Sequence, residues 1–253
     1  MPNVQLTRFH HPEYRFCELQ QLPPLSAGDT MAVIIDALEF VPYSDQLYSV
    51  LNKKEQEKAE RHIRPADRWI RIVSRSIARI ILSYNIGCSP NELEIDVSEK
   101  GKPYLRKHSN WHFNVSHSAG LVLIYISSSN PVGCDVEEIK NSFDYSQIVH
   151  RFFSEKEKTR LTETNQHELF FRLWSEKEAF LKCIGSGVWE SMNELDLSQG
   201  NISQLPASAE SFRTAKFRIE SCVGSGYAFS LCSFQNHQST QTPFYRLIGW
   251  TNS

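Results

Sequence analysis

Residues 120–139 read Gly-Leu-Val-Leu-Ile-Tyr-Ile-Ser-Ser-Ser-Asn-Pro-Val-Gly-Cys-Asp-Val-Glu-Glu-Ile, and this stretch decides the fold. Gly120 to Ser127 is almost continuously apolar, which predicts a buried strand. Pro131 to Ile139 predicts a second strand soon after the first. The chain is therefore expected to finish one structural unit here and to begin another.

The segments on either side of this stretch follow one order, in which a strand is followed by helices and then by further strands. Helical patterns occur at 44–61, 65–84, 144–163 and 166–184. Strand patterns occur at 31–37, 92–97, 103–105, 111–115, 216–223, 227–234 and 244–250, and a surface loop is expected at 198–211. The halves share an order of elements without a detectable sequence repeat, so the order alone is weak evidence for a duplicated fold.

Composition and charge exclude several classes of protein. A chain of 253 residues with 40% hydrophobic and 22% charged residues is typical of one large globular domain or two small ones. The net charge of −2 argues against a dedicated nucleic-acid binder, and no apolar run approaches the ~20 residues of a membrane span. The N-terminus lacks a secretory pattern and the six cysteines are scattered, so we expect a cytoplasmic protein with reduced thiols.

An acidic pair stands in the second of the two central strands. Because side chains alternate along a strand, Asp135 and Glu137 are expected on one face and Val136 on the other. Two neighbouring carboxylates repel unless a cation lies between them, and Mg²⁺ prefers such oxygen ligands. Taken alone, the pair is more often a solvent-facing feature of an edge strand, and both interpretations stay open.

The helical pattern at 166–184 carries a second group of charges. Trp174, Glu178 and Lys182 are spaced four residues apart, which places them on one helix face. Lys177 lies within the apolar stripe, so its amine either reaches the rim or has a buried anionic partner. For an isolated helix the ordinary alternative is a solvated face with Glu–Lys pairs. Together with the acidic strand, this helix supplies carboxylates and amines suited to a metal-held polyphosphate.

A third polar group stands just before Gly120. Ser116, His117 and Ser118 are expected in a turn whose hydroxyls and backbone N–H groups can bind phosphate, although a polar turn with one exposed histidine is equally consistent. The G-x-S-x-G motif of serine hydrolases is absent. Upstream, Lys102 and Pro103 follow a glycine in another turn, and a run of arginines makes the first half locally basic: Arg61, Arg64, Arg68, Arg71, Arg75 and Arg79.

These motifs occur together and in one order, which resembles the signature of the Sfp-type 4′-phosphopantetheinyl transferases. The matching segments are Gly101-Lys102-Pro103, Asn114-Val115-Ser116-His117-Ser118, Val132-Gly133-Cys134-Asp135-Val136-Glu137, Phe152-Phe153-Ser154 and Trp174-Ser175-Glu176-Lys177-Glu178-Ala179-Phe180-Leu181-Lys182. Each motif is moderately specific and the ordered set is highly specific. One departure is Cys134, where the family usually has a branched aliphatic residue; we expect it to change packing only.

The resemblance implies an α+β fold of two similar halves, 1–131 and 132–253, related by a pseudo-twofold axis. The active site is then expected in the cleft between the halves. It also implies a reaction in which a serine hydroxyl of an apo acyl or peptidyl carrier protein attacks coenzyme A, takes its 4′-phosphopantetheine group and releases 3′,5′-ADP. The larger members of the family can act as monomers, and we expect the same here.

The resemblance assigns roles to individual residues. Asp135, Glu137 and Glu178 match ligands of Mg²⁺, for which Mn²⁺ can substitute. Glu178 also matches the residue proposed to take the serine proton, either directly or through a metal-bound water, and Lys182 matches a lysine on the pyrophosphate. Further residues match the coenzyme A site: Ser116 and His117 at the phosphates, Lys102 and Pro103 on the adenine side, Arg68 or Arg71 at the 3′-phosphate, and Lys177 of the helical motif.

Two rival functions use the same residues. One is a non-catalytic module that binds coenzyme A or a nucleotide phosphate, and the other is a metal-dependent phosphodiesterase. All the expected carboxylates and lysines are present, which disfavours an inactive homologue.

Overall fold

The computed structural model describes residues 3–9, 13–164, 167–186, 192–197, 212, 214–234 and 242–250. The strands found within these residues are β1 Asn3–Phe9, β2 Tyr14–Cys17, β3 Thr30–Asp36, β4 Ile95–Val97, β5 Pro103–Leu105, β6 His112–Ser118, β7 Leu121–Ser127, β8 Val132–Glu138, β9 Lys216–Gly224, β10 Tyr227–Phe234 and β11 Phe244–Leu247. The helices are α1 Ser44–Val50, α2 Lys53–Glu60, α3 Pro65–Ile86, α4 Ser146–Phe152, α5 Glu155–Thr164 and α6 His167–Ile184. The loop expected at 198–211 lies outside the described residues.

Two sheets have the same arrangement at their centres. In one sheet β7 pairs antiparallel with both β3 and β6, and in the other β10 pairs antiparallel with both β8 and β9. In each half the chain runs from one outer strand, β3 or β8, through three helices to the other two strands of the set, β6–β7 or β9–β10; the first half adds β4 and β5 between its helices and β6. The α+β fold class is confirmed, and the order of elements expected from the sequence is repeated in the two halves.

The first and last strands each join the sheet of the opposite half. β1 pairs in parallel with β9, and β11 lies in parallel between β3 and β2. Arg8 of β1 also donates to both carboxylate oxygens of Glu176 on α6, over 2.9 and 2.8 Å. The division into residues 1–131 and 132–253 stays a prediction. Within it, β1 pairs with the sheet of the second half and β11 with the sheet of the first.

The long helix predicted at 65–84 is confirmed, and its ends follow known rules. Pro65 occupies the first turn, where no backbone N–H is needed, and Gly87 closes the helix with a φ of +80°. The stretches 44–61 and 144–163 each form two helices instead of one. Asn52 and Ser154 cap α2 and α5, since each side chain accepts the N–H of the glutamate three residues on.

The core consists of three clusters. One packs α3 against the first sheet, one packs α6 against the second, and the third joins the two sheets. Cys134 and Val136 are buried in the third cluster, on the face of β8 opposite Asp135, which is the face expected for Cys134. None of the helices in the described part of the chain is long and apolar enough to cross a membrane.

Candidate functional site

Asp135 lies at the seam where β8 of the second half runs alongside β6 of the first. The two strands share no ladder of backbone hydrogen bonds, and side chains of β6 bond to β8 instead. Asn114 accepts the N–H of Cys134 over 3.0 Å, and Ser118 accepts the N–H of Glu138 over 3.0 Å. The two halves therefore meet beside Asp135 through polar side chains.

The carboxylate of Asp135 is 1% exposed and bonded on one side only. Its Oδ1 accepts the Nζ of Lys182 over 2.5 Å and the Oγ of Ser116 over 2.8 Å. Its Oδ2 is buried and accepts no hydrogen bond from any described residue. Burial raises the pKa of Asp135, and the ammonium of Lys182 opposes that rise. A buried carboxylate oxygen without a donor is suited to a cation or to an incoming hydroxyl.

Glu178 and Lys182 stand one turn apart on α6, as their spacing predicts. Lys182 Nζ lies 3.0 Å from Glu178 Oε2, so this amine bridges Glu178 and Asp135. Burial, and then the negative charge of Asp135, raise the pKa of Glu178 to about 7. Burial alone would lower the pKa of Lys182, but Asp135 and Glu178 outweigh it and raise that pKa. The group therefore combines a permanent cation with a carboxyl group that titrates near neutral pH.

Glu137 lies on the same face of β8 as Asp135, as the strand period predicts. Its Oε1 accepts the indole N–H of Trp174 and its Oε2 accepts the hydroxyl of Ser118, each over 3.3 Å. Burial raises the pKa of Glu137, and the charge of Glu178 adds to the rise. Lys182 thus contacts two carboxylates directly, those of Asp135 and Glu178, and acts on the third, Glu137, through its charge.

The donor set suits a divalent cation in its chemistry, although it is not arranged as a finished site. No three His, Cys, Asp or Glu side chains among the described residues are placed to hold a metal ion together. Lys182 supplies the positive charge between Asp135 and Glu178 instead. The open Oδ2 of Asp135 and the raised pKa values of all three carboxyl groups fit a second cation, which would relieve the repulsion between them.

Ser116 and His117 lie in strand β6 rather than in the turn expected from the sequence. The turn is formed by Ala119 and Gly120, both at positive φ. Since side chains alternate, Ser116 faces Asp135 and His117 faces the side of the first sheet that α3 covers. The structure therefore does not bring these two residues to one point.

His117 lines a cavity of about 290 Å³ between α3 and the β4–β5 hairpin. Arg71, Arg75 and Pro103 lie in the same wall, and Arg68 is an exposed residue outside it. Burial lowers the pKa of His117, with Lys182 and Arg71 adding to the effect. Burial also lowers the pKa of Arg75 to about 10, although Glu55 lies 3.1 Å from its guanidinium. Arg75 is not among the residues predicted for the site although it lines the same cavity, and its spacing of four from Arg71 is the available signal.

Two lysines predicted as coenzyme A ligands, Lys177 and Lys102, have side chains that point away from the cavity beside His117 and from the Asp135 group. Lys177 is fully buried, 2.7 Å from Glu157, and donates to the carbonyls of Phe152, Met192 and Leu195. Of the two readings left open, the buried anionic partner is confirmed, and the ammonium does not reach the Asp135 group. Lys102 donates to the carbonyls of Val132 and Cys183, on the side of its hairpin away from the cavity.

Two family models match most of the chain. The model described as 4′-phosphopantetheinyl transferase superfamily matches residues 131–232, and the one described as 4′-phosphopantetheinyl transferase, N-terminal, matches residues 42–129. A backbone comparison with the chain titled "Chronobacterium ammoniagenes ACPS-CoA complex" gives a TM-score of 0.34 at 16% identity, over 44% of this chain and 99% of that one, which is too weak a likeness for any inference.

Curated relatives carry the same family name. HetI of Nostoc sp., a 4′-phosphopantetheinyl transferase, is 30% identical over 60% of this chain and 66% of its own length. A 4′-phosphopantetheinyl transferase of Bacillus subtilis is 30% identical over 65% of this chain and 67% of its own length. Sfp of Bacillus subtilis strain 168 is 26% identical over 75% of this chain and 85% of its own length. The chain belongs to the 4′-phosphopantetheinyl transferase superfamily of enzymes.

Proposed function

We propose that this transferase moves the 4′-phosphopantetheine group of coenzyme A to a serine hydroxyl of an apo acyl or peptidyl carrier protein, releases 3′,5′-ADP and depends on Mg²⁺. One observation carries the proposal: the buried Asp135, with an open oxygen, lies beside Glu178 and Lys182 at the seam between the halves. Such a group can hold negative phosphates and move one proton.

Asp135, Glu137 and Glu178 would hold the metal. When bound, Mg²⁺ would polarise the phosphoryl oxygens and offset their charge. Ser116 has a supporting role, because its hydroxyl donates to the oxygen of Asp135 that also accepts Lys182. Ser118 supports Glu137 in the same way. The two serines of the motif thus orient carboxylates.

Glu178 and Lys182 are suited to the proton transfer and to the leaving group. The serine oxygen forms a bond to the phosphorus that carries pantetheine, and the bond from that phosphorus to the oxygen of the departing 3′,5′-ADP breaks. Glu178 is placed to take the serine proton; its pKa of about 7 holds without a metal ion, whose charge would lower it. The ammonium of Lys182 stabilises the charge that grows on the departing phosphate.

The cavity beside β6 suits the nucleotide end of coenzyme A. Arg71 and Arg75 line the same space as His117, and Pro103 offers an apolar surface for a base. Of the two arginines expected at the 3′-phosphate, Arg71 is the one that lines the cavity. We assign the 3′-phosphate to Arg71 and Arg75, on the first half of the molecule.

A groove next to the end of β8 suits the carrier protein. It measures about 580 Å³ and is lined by residues 141–146, α4, α5 and the start of α6. Phe143 at its rim is 38% exposed and packs against Phe170 and Phe171, while Tyr145 stacks fully on Phe170. Phe143 is therefore the aromatic residue that can serve both the core and a docked helix.

Incubation of the protein with coenzyme A, Mg²⁺ and a panel of apo carrier proteins tests the proposal. The expected result is one added phosphopantetheine on a carrier serine, with release of an equal amount of 3′,5′-ADP. Binding of coenzyme A without turnover would identify a non-catalytic module, and cleavage of coenzyme A without a carrier would identify a phosphodiesterase. Either outcome would overturn the proposal.

The proposal places the enzyme in the cytoplasm as a monomer. All six cysteines are free thiols, which agrees with a reducing compartment. Sedimentation at several concentrations tests the monomeric state, and a mass that doubles with concentration would contradict it.

A further inference from the structure

Lys102 stands in a hairpin turn of the first half, and the turn fixes the direction of its side chain. Ser98 and Lys102 bond to each other through the backbone, and the hydroxyl of Ser98 accepts the N–H of Lys102 over 3.1 Å. Gly101 makes the turn possible with a φ of +83°. The neighbours Gly101 and Pro103 line the cavity beside His117, whereas the Lys102 side chain leaves toward the second half.

The ammonium of Lys102 joins two elements of the second half. It donates to the carbonyl of Val132, at the start of β8, over 3.1 Å, and to the carbonyl of Cys183, in the last turn of α6, over 2.5 Å. Carbonyls in the last turn of a helix lack a partner within the helix and carry its negative dipole, so a cation suits this place. Among the described residues Lys102 has no carboxylate partner, and burial lowers its pKa. Its only acceptors in that part of the chain are these two carbonyls.

The backbones of the same two elements are in close contact next to these hydrogen bonds. A Cβ atom added to Gly133 would lie 2.1 Å from the carbonyl oxygen of Ala179 and 2.3 Å from the nitrogen of Cys183. The backbone of α6 thus rests directly on β8 at Gly133. Residues next to this crossing carry the chemistry, because Asp135 follows on β8 and Lys182 precedes Cys183 on α6.

We propose that Lys102 is a positioning residue whose ammonium clamps the last turn of α6 to the start of β8 and thereby holds Glu178 and Lys182 against Asp135. The clamp comes from the first half and grips two elements of the second, so it also fixes the halves relative to each other. This inference rests on the proposed function for its kinetic consequence. It replaces the role of Lys102 in coenzyme A binding expected from the sequence.

Lys102→Met keeps the length of the side chain and removes the ammonium. A displacement of the catalytic groups by about an ångström can cost 10²-fold, so we expect kcat to fall by roughly 10- to 100-fold. The Kd for coenzyme A, measured by calorimetry, is expected to stay within about twofold, because the cavity beside His117 is unchanged. Lys102→Arg should restore part of kcat, since it keeps a cationic donor. Lys100→Met, an exposed lysine of the same turn, serves as the matched control and should behave as wild type.

A rise in the Kd for coenzyme A with unchanged kcat would make Lys102 a ligand-binding residue and overturn the proposal. Unchanged kcat and Kd would overturn it as well. Amide hydrogen exchange separates this result from failure of the proposed function, because it needs no turnover. Lys102→Met should speed exchange at residues 180–186 and leave α3 unchanged, and equal exchange in variant and wild type would contradict the clamp even in an inactive protein.

Discussion

In the first half of the molecule Glu55 of α2 lies 2.6 Å from Arg79 of α3, and in the second half Glu157 of α5 lies 2.7 Å from Lys177 of α6. Both glutamates also close the capping box of their own helix. Both cations donate to carbonyls of the segment after the long helix, at Pro90 and Leu93 in one half and at Met192 and Leu195 in the other.

The repeated ion pair indicates which charged residues stabilise the fold. A feature present at the same place in both halves serves their common architecture, so Lys177 and Glu157 hold α6 in place as Arg79 and Glu55 hold α3. The helical motif that suggested a phosphate site therefore mixes two kinds of charge. Lys177 is structural, and Glu178 and Lys182 face the seam.

The halves differ at the strand that each long helix covers. β8 pairs with the central strand β10 as β3 pairs with the central strand β7. Asp135 of β8 therefore corresponds to Val33 of β3, since each is the fourth residue of its strand. The two buried cations, Arg79 and Lys177, occupy equivalent places. One and five residues after them, Ile80 and Tyr84 of α3 stand where α6 has Glu178 and Lys182. One half thus keeps apolar residues where the other gathers charges, and the proposed transfer chemistry is assigned to the second half.

The largest effect is expected from breaking that difference at Asp135. We expect Asp135→Asn to lower the rate of carrier modification by on the order of 10³-fold, about 4 kcal/mol, because the open carboxylate oxygen is lost. The fold should persist, since one of several repelling charges is removed. Excess chelator should have the same effect, and Mg²⁺ or Mn²⁺ should reverse it. The measurement is carrier mass against time, with thermal melting as the check on folding.

Asp96→Asn is the control for this prediction, because Asp96 is a partly exposed acid of the first half that pairs with Arg106. Full activity of the Asp135→Asn variant would show that transfer does not need this carboxylate, and full activity of the wild type in excess chelator would show that it does not need a metal ion.

The equivalence of the two ion pairs can be tested by removing each cation. Lys177→Met should lower the free energy of unfolding by about 3–5 kcal/mol, because the buried Glu157 loses its cation. Arg79→Met should lower it by less, because Arg75 still lies 3.1 Å from Glu55. Urea denaturation measures the effect. Lys158→Met removes an exposed pair with Glu155 and should change stability by ~0.5 kcal/mol or less. A stable Lys177→Met variant with a raised KM for coenzyme A would return this lysine to the ligand site.

The segments after β3 and β8 provide a matched test of the carrier groove. Phe143→Ala should raise the KM for carrier by about tenfold, or 1.4 kcal/mol, and the KM for coenzyme A by about twofold at most. Leu38→Ala alters an exposed apolar residue after β3 and should leave both constants unchanged. Equal changes in both KM values, or loss of folding, would assign Phe143 to the core alone.

The smallest effect concerns pH and the cavity of the first half. Burial lowers the pKa of His117 from its ordinary value of 6.5, so the neutral ring predominates at pH 7 and gains a proton as the pH falls. A bound phosphate favours the charged ring, and binding of 3′,5′-ADP should therefore gain a few-fold in affinity between about pH 7.5 and 5.5 relative to His117→Gln. Calorimetry without metal measures both proteins, and the variant cancels the titration of the ligand. Parallel pH profiles would place the phosphate away from His117.

The sequence predicts most elements of the fold and the centre of the site. The strand period places Asp135 and Glu137 on one face, and helical spacing places Glu178 one turn from Lys182; the structure has both arrangements. These predictions succeed because each depends on residues close together in the chain. The buried strand at 120–127 and the long helix from Pro65 are predicted for the same reason.

The hydrogen-bond partners of Lys177 and Lys102, and the strands with which the terminal strands pair, could not be predicted. Lys177 and Lys102 bond to carbonyls contributed by distant segments, and a carbonyl leaves no trace in the sequence. The pairing of β1 with β9 spans more than two hundred residues and depends on the assembled sheets. Ser116 was expected in a turn because its polar neighbours resemble one, although they form a strand whose hydroxyls bond to β8.

The central claim is a division of labour, with coenzyme A held by the first half and transfer carried out by the second. Steady-state kinetics of Arg71→Met and Lys182→Ala, with coenzyme A varied at saturating carrier, test it most directly. Lys182→Ala should lower kcat by on the order of 10²-fold, about 2.7 kcal/mol, with KM for coenzyme A nearly unchanged, and Lys182→Arg should recover part of the loss. Arg71→Met should raise KM for coenzyme A by about tenfold with kcat retained. The account is contradicted if Lys182→Ala keeps kcat within about threefold of wild type, or if both variants change the same constant.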